Sequence, residues 1–534
     1  MALLALCCLA SAGAQAQTPI HPVTPPNSLS IVATLPTICQ GGSTVLSIGG
    51  NGALQANTTY TWSPNQDISS TGGTSVVVNP TQTTTYTLTA LTNDGNAGTV
   101  RTATFTVNVQ ADCCQTTTLS SQGVTPVELT AATYTSNPFA GYDPGTYFHY
   151  AGSTLTLSGN TTYSLPVGGV LLLESNAEVV VSSAARFELN AGTITAACNE
   201  MWKGITLKNT AASIDFHGVN VHTIGQARKP VAMRNHLMHS RQGLVLEDGS
   251  RDPEFQLNYT DFWHNYRSLD IHRRQGGGTG TNVDNRILTC VFTSSPALMK
   301  SPYQASGSTY YYSDYHLRVA GRVDHALAMG LQLCDFDNAV GHILCDSTRT
   351  ALAPASCTFR RFYKAGIYYA GGGLPSYGTP TNTLTVSSYL VEYPTSFTFP
   401  AYPLPATPQL AAANATYSDL PGVAGIATQD ELVNVQAATF QQSLAADYNY
   451  TGTTFLVGPY THAGIRTAAL GTIGGCSFLD LETGIAHALP AGDMSAQLSQ
   501  NFFASCGRGY QVTNPANNAI SPANAGTVVS SPLK

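Results

Sequence analysis

The chain has 534 residues, of which only 10% are charged and 43% apolar, with 49 Gly, 29 Pro and a formal net charge of -7. So few charges leave Thr, Ser, Asn and Gln to carry solubility, the composition of an exported β-protein rather than of a helical enzyme. A charge this mild for the size excludes a global attraction to nucleic acid or to an anionic membrane surface.

In chain order, residues 1–16 predict a secretory signal peptide. An apolar run from Leu3 to Ala10 is followed by two small-x-small cleavage sites, Ala12-Gly13-Ala14 and Ala14-Gln15-Ala16. No Lys or Arg precedes the run, which leaves room for a start upstream of Met1. No later apolar stretch approaches the roughly 18 residues of a membrane span, so the expected product is soluble, secreted or displayed at the cell surface. Residues 17–27 carry four prolines and read as an extended linker.

Residues 28–111 change to short alternating strands, among them Val45-Leu46-Ser47-Ile48, Tyr60-Thr61-Trp62 and Phe105-Thr106-Val107, broken by Gly41-Gly42, Gly72-Gly73 and Asn93-Asp94-Gly95. Such spacing predicts an immunoglobulin-like β-sandwich with Trp62 between the sheets and Tyr86 at a tyrosine corner. Cys39 has no second cysteine within the sandwich, which sets it apart from antibody domains. Cys113-Cys114 marks its end, and the Thr-rich segment 112–160 reads as a connection without a period.

From 161 to 512 the pattern is a repeat. Its clearest unit is a cysteine two residues before a phenylalanine: Cys290-Val291-Phe292, Cys334-Asp335-Phe336, Cys357-Thr358-Phe359 and Cys476-Ser477-Phe478. Residues two apart in a strand share a face, so Cys and Phe are expected on one buried face. Looser copies centre on Phe216, Phe262, Phe440 and Asn501-Phe502-Phe503. Phe336 and Phe359 lie 23 residues apart, Phe478 and Phe503 25 apart. A period in the twenties in a chain rich in Thr, Ser, Val and Gly predicts a solenoid of parallel strands, with roughly 14 coils. Residues 513–534 are small and polar and read as a tail.

Two resemblances rest on particular residues. Ile38-Cys39-Gln40-Gly41-Gly42-Ser43-Thr44, Tyr60-Thr61-Trp62-Ser63-Pro64 and the stretch Pro80 to Thr87 resemble the PKD/Ig-like modules of large bacterial surface proteins. That resemblance implies a spacer or interaction module and supplies no catalytic residue. Trp202-Lys203-Gly204-Ile205, with Gln242-Gly243-Leu244, Ala365-Gly366-Ile367 and Thr483-Gly484-Ile485, resembles the right-handed parallel β-helix (pectin-lyase-like) regions of exported bacterial proteins. It implies a fold more than a function, since β-helices serve lyases, hydrolases, adhesins and plain spacers.

Candidate chemistry is sparse. With Phe336 inward, Asp335 and Asp337 point outward side by side, and Asp480 and Glu482 repeat the arrangement around Leu481. Such pairs suit general acid–base work, and outward strand positions equally suit solubilising charge. Removing Cys7 and Cys8 leaves ten cysteines whose connectivity spacing does not fix. No C-x-x-C pair appears, so a buried ladder of small thiols is favoured over zinc, and no cofactor or metal is expected. His236 and His239 are three apart, on opposite faces of a strand, and read with the other histidines as solvated loop residues. Between 203 and 286 lie 11 of the 23 Lys and Arg. Arg234, Arg241, Arg267, Arg273 and Arg274, with Trp263 and Tyr266 as stacking surfaces, predict a shallow groove for an acidic glycan, against the plainer reading of scattered loop charge.

The expected function is therefore a non-catalytic extracellular or cell-surface protein, structural, adhesive or in contact with extracellular polysaccharide through solenoid loops. The alternatives are a polysaccharide lyase or glycoside hydrolase acting in a solenoid groove, and a stalk presenting a domain absent from this chain.

Overall fold

A computed structural model describes residues 29–513 except 50–57, 93–98, 111–112, 209–210, 220–232, 248–253, 272–285, 296–297, 305–310, 322–326, 348–349, 370–382, 387–422, 429–431, 442–453, 457–460, 468, 480, 489–496 and 505. The expected signal, linker and tail lie outside the described residues. Among the described residues the protein is all-β apart from one short helix, Gln115–Ser121.

Strand alternation builds the N-terminal part. Thr84–Thr92 reads TTYTLTALT, and its Tyr86, Leu88 and Ala90 are buried while the residues between them are not. It pairs with Thr58–Ser63 and Thr99–Gln110, and Thr37–Cys39 adds a parallel edge to give four strands. Ser30–Ala33, Thr44–Gly49 and Ser75–Val78 form a three-stranded antiparallel sheet. Leu46, Trp62, Val76, Val78, Tyr86 and Val107 share one core between the two sheets. Trp62 is satisfied there by donating its indole N–H to Gly73 O at 3.0 Å.

The rest of the chain stacks in three parallel ladders, an arrangement compatible with a β-helix. Glu254–Asn258, Thr260–Trp263 and Arg267–Ile271 make one coil, and Arg286–Leu288, Val291–Thr293 and Ser313–Gly321 make the next. Each strand pairs with its counterpart one coil on: Leu257 with Ile287, Phe262 with Phe292, Leu269 with Leu317. Parallel pairing already begins at Val127–Glu128 and continues through Tyr147–Tyr150 and Val170–Leu173, inside and just beyond the segment 112–160. No period was visible there because these first coils carry Val127, Phe148 and Leu171 at the stack position with no cysteine two residues before.

That unit has a clear physical basis. Phe262, Phe292, Phe336 and Phe359 are fully buried and stack face to face at centroid spacings of 4.7, 4.8 and 4.9 Å, as do Phe440 and Phe478 at 4.9 Å. In-register parallel strands lie about 4.8 Å apart, so one ring per coil meets the next at van der Waals contact. The cysteine belongs to the corner before the strand. Thr289, Leu333 and Ser356, one residue ahead of Cys290, Cys334 and Cys357, have φ of 53°, 58° and 53°. Left-handed backbone costs an ordinary residue about 1–3 kcal/mol, a cost here offset by the packing it allows. The buried thiols point back across the corner, Cys290 Sγ to Leu257 O at 3.2 Å and Cys334 Sγ to Ile287 O at 3.4 Å. A small weak donor fits where a larger side chain would not. Two of the looser copies fall elsewhere. Phe216 belongs to a different ladder, facing Leu257, and Phe502 points outward at 54% exposure while Phe503 continues the stack at 4.9 Å from Phe478.

The two parts lie side by side rather than end to end. The Tyr147 hydroxyl accepts from Ser43 N at 2.9 Å and donates to Ser43 O at 2.8 Å, and Ser43 Oγ donates to Gly168 O at 2.6 Å. Tyr147, Val170 and Leu172, outward residues of the first coils, complete the N-terminal core. Disulfides Cys39–Cys113 and Cys114–Cys198 fasten the same junction. The tandem Cys113-Cys114 thus ties one sheet of the N-terminal part to the solenoid.

Candidate binding cleft

The turn from one ladder to the next decides which candidate residues can meet. Thr260–Trp263 and Arg267–Ile271 are separated by a corner at His264, whose φ is 55°. Trp263 therefore faces outward from one ladder and Arg267 from another, and Trp263 does not line the cleft that Tyr266 and Arg267 share. Arg234 lies on the Trp263 side, part-buried, donating from Nε to Asp261 at 2.6 Å and from a terminal nitrogen to Thr289 O at 2.7 Å. Arg273, Arg274 and Asp480 are outside the described residues, and Glu482 is exposed.

Asp335 and Asp337 do point away from the phenylalanine stack, but they do not reach solvent: Asp335 is 4% exposed and Asp337 0%. The Arg361 guanidinium holds Asp337 through both carboxylate oxygens, one of them at 2.6 Å. Strand alternation gives the direction of a side chain and says nothing of what covers it. The pair is thus structural in its setting rather than an open acid pair.

The histidines also depart from the solvated loop expected. His236, His239, His264, His316 and His342 are all buried. Burial lowers His236 and His264 to about 3 and His316 to about 4, and holds His239 and His342 well below the ordinary value. His239 and His264 sit at corners with φ of 57° and 55°, while His316 and His342 stack on each other at 5.3 Å beside the phenylalanine stack, and His264 Nδ1 accepts from Ser295 N at 3.1 Å. At the junction with the N-terminal part, burial raises Asp261 to about 6 against the opposing Arg234 charge. It raises Asp67 to about 7, with Asp261 adding to the effect. Among the described residues no group of three or more His, Cys, Asp or Glu gathers as a metal would need.

Three candidates do converge. Arg241, Tyr266 and Arg267 line a cleft of about 870 Å³ with Glu178, Lys203, Thr206, Glu247 and Tyr303. Its floor is the outer face of one ladder, built from Glu178–Val181, Trp202–Leu207, Ser240–Leu246 and Arg267–Ile271. Gly204 is required in that floor: its φ is +140°, and a Cβ there would lie 1.5 Å from Gln242 O. One wall is aromatic. Tyr303, from the tyrosine-rich stretch 302–315, stacks on Tyr266 at 3.7 Å and 6°. Arg267 donates to Asp314 at 2.9 Å and lies 5.1 Å from the Tyr315 ring, while the Tyr315 hydroxyl donates to Asp270 at 2.7 Å. Burial works against the Arg267 charge, but Tyr315 and Asp314 outweigh it and raise its pKa. Arg267 is thereby fixed as a cation.

The remaining cations are differently placed. Arg241 and Lys203 have no side-chain hydrogen bond or ion pair among the described residues, and Arg241 Nε is buried without a partner. A buried unpaired donor costs about 1–3 kcal/mol, and an acceptor brought by a ligand would remove that cost. The carboxylates are partly engaged: Glu178 accepts from Thr206 Oγ1 at 2.5 Å and Glu247 lies 3.9 Å from Lys208. Sequence reasoning missed Glu178, Lys203 and Tyr303. Tyr303 stands in a tyrosine-rich stretch and Lys203 beside Gly204 in the Trp-x-Gly-Ile element, but only folding brings them to Arg241.

Among the described residues no helix is long and apolar enough to cross a membrane. Compared with known proteins, the chain matches no family model, no curated protein and no solved structure.

Proposed function

We propose that this is an exported, non-catalytic protein, secreted or held at the cell surface, in which an Ig-like sandwich is docked on a right-handed parallel β-helix and the helix contacts extracellular polysaccharide. The observation that carries the reading is the cleft of Arg241, Arg267, Tyr266 and Tyr303 on the outer face of one ladder. Aromatic rings beside polar and cationic groups are what sugar rings need: apolar C–H faces to pack and hydroxyls to bond. Low overall charge, repeat architecture and two disulfides are consistent with an extracellular setting.

The enzyme reading has one observation in its favour, since Glu178 and Glu247 line the same cleft. Register weighs against it. Glu178 pairs with Gly204 and then Gln242, whereas Glu247 follows Leu246, the partner of Leu207 and Val181. Four residues along a strand and two coils across place their backbones about 16 Å apart. Paired glycosidase carboxyls stand roughly 5–10 Å apart. The test is to incubate the purified chain with neutral and acidic polysaccharides, recording binding and new reducing or unsaturated ends. Binding without new ends is expected. New ends would replace this reading with the enzyme, and neither binding nor ends would leave a stalk.

A further inference from the structure

Resting on the polysaccharide-binding reading, we infer that the cleft selects an anionic polysaccharide, carboxylated or sulfated, lying along the solenoid axis with Lys203 and Arg241 taking its acidic groups. The inference starts from register. Gly204, Gln242 and Arg267 are in-register partners on three successive coils, so the residues just before them, Lys203, Arg241 and Tyr266, form a file along the axis. Successive members of that file are about 4.8 Å apart. A neutral sugar would leave the cations of that file without counter-charge. An extended polymer bearing acidic substituents supplies an acceptor to each cation while its rings lie against the tyrosine pair.

The cations differ in what they already do. Arg267 is committed to Asp314 at 2.9 Å, and the rings of Tyr266 and Tyr315 flank its guanidinium, so it builds the wall and orients the tyrosines. Arg241 and Lys203 have no such commitment, and the buried Nε of Arg241 is a donor already stripped of water. Arg presents a planar fork that matches carboxylate and sulfate, whereas Lys offers a point charge. Arg241 is therefore the specificity-determining residue and Lys203 its neighbour along the file. The two carboxylates of the cleft do not cancel this, because Glu178 is turned to Thr206 and Glu247 lies six residues beyond Arg241 in the chain. The net charge of -7 removes the trivial explanation, since the chain as a whole repels polyanions.

The experiment titrates the full-length chain with polygalacturonate, dextran sulfate and neutral dextran at two salt concentrations, alongside Arg241→Gln, Lys203→Gln and a control, Arg186→Gln. Arg186 is an exposed ladder residue paired with Glu188 and Asp215, away from the cleft. At least one acidic polymer should bind tenfold or more tightly than dextran, weakening with salt. Arg241→Gln should lose about tenfold, Lys203→Gln less, and Arg186→Gln nothing, with melting temperatures unchanged. Preference between polygalacturonate and dextran sulfate assigns the acidic group. Dextran bound as tightly as both polyanions, or an unaltered Arg241→Gln, overturns the inference while leaving polysaccharide binding in place. No binding by any polymer overturns both.

Discussion

Phe336→Ala removes one ring from the middle of the aromatic stack. Phe336 is fully buried, and its ring lies between Phe292 at 4.8 Å and Phe359 at 4.9 Å, both within 3° of parallel. Truncating a buried phenylalanine costs about 3–5 kcal/mol, and each lost aromatic pair adds about 0.5–1.5 kcal/mol beyond its buried area. The in-register strands on either side hold the backbone, so the cavity has little freedom to collapse. The expected loss is in the upper part of that range, about 4–5 kcal/mol. Phe502→Ala is the matched control, the same chemical change at a ring that is 54% exposed, and should stay within about 0.5 kcal/mol. The assay is urea unfolding of both variants and the parent, followed by far-ultraviolet circular dichroism. Because coils of a solenoid can unfold in sections, the comparison rests on the earliest transition that each variant shifts. Equal shifts for the two variants would refute the inward register of Phe336 and with it the account of the Cys-x-Phe unit.

Acidification should weaken the fold. His236, His264 and His316, held neutral at about 3, 3 and 4, contribute stability that is full above their unfolded value of 6.5 and is lost as pH falls through the folded values. Asp261 and Asp67, raised to about 6 and 7, act the other way, their contribution full below 3.8 and lost as pH rises through the folded values. The histidines outnumber the acids, so the melting temperature should fall from pH 6.5 to 5; a rise would contradict the burial of the histidines. Arg361→Ala leaves Asp337 buried and unpaired, and should cost about 3 kcal/mol or more by urea unfolding; an unshifted midpoint would place Asp337 in water after all. Cys114→Ser opens a loop of 84 residues and should lower stability by about 2–4 kcal/mol under oxidising conditions, while leaving the reduced protein nearly unchanged.

Much of the solenoid was legible because its rule is local. A Cys and a Phe two residues apart state strand and face, and phenylalanines 23 residues apart at Phe336 and Phe359 and 25 apart at Phe478 and Phe503 state the period. The first coils were silent because Val127, Phe148 and Leu171 occupy the same stack without the cysteine two residues before. The corners were illegible for a related reason. His264, Thr289 and Leu333 adopt left-handed backbone without glycine, so nothing in their identity separates Trp263 from Arg267. The side-by-side docking rests on contacts such as Ser43 with Tyr147, 104 residues apart, which no local pattern foretells. For the cleft, composition brought out Arg241, Tyr266 and Arg267 through the clustering of cations. Tyr303 and Glu178 needed the register of four coils and the stacking of Tyr303 on Tyr266 to join them.

Hydrogen exchange on the chain with and without saturating acidic polysaccharide tests polysaccharide contact at this cleft most directly. Slowed exchange should be confined to Trp202–Leu207, Ser240–Leu246 and the amides around Tyr303. Protection centred on another ladder or on the N-terminal sheets, or no protection at all, would contradict the assignment of this cleft.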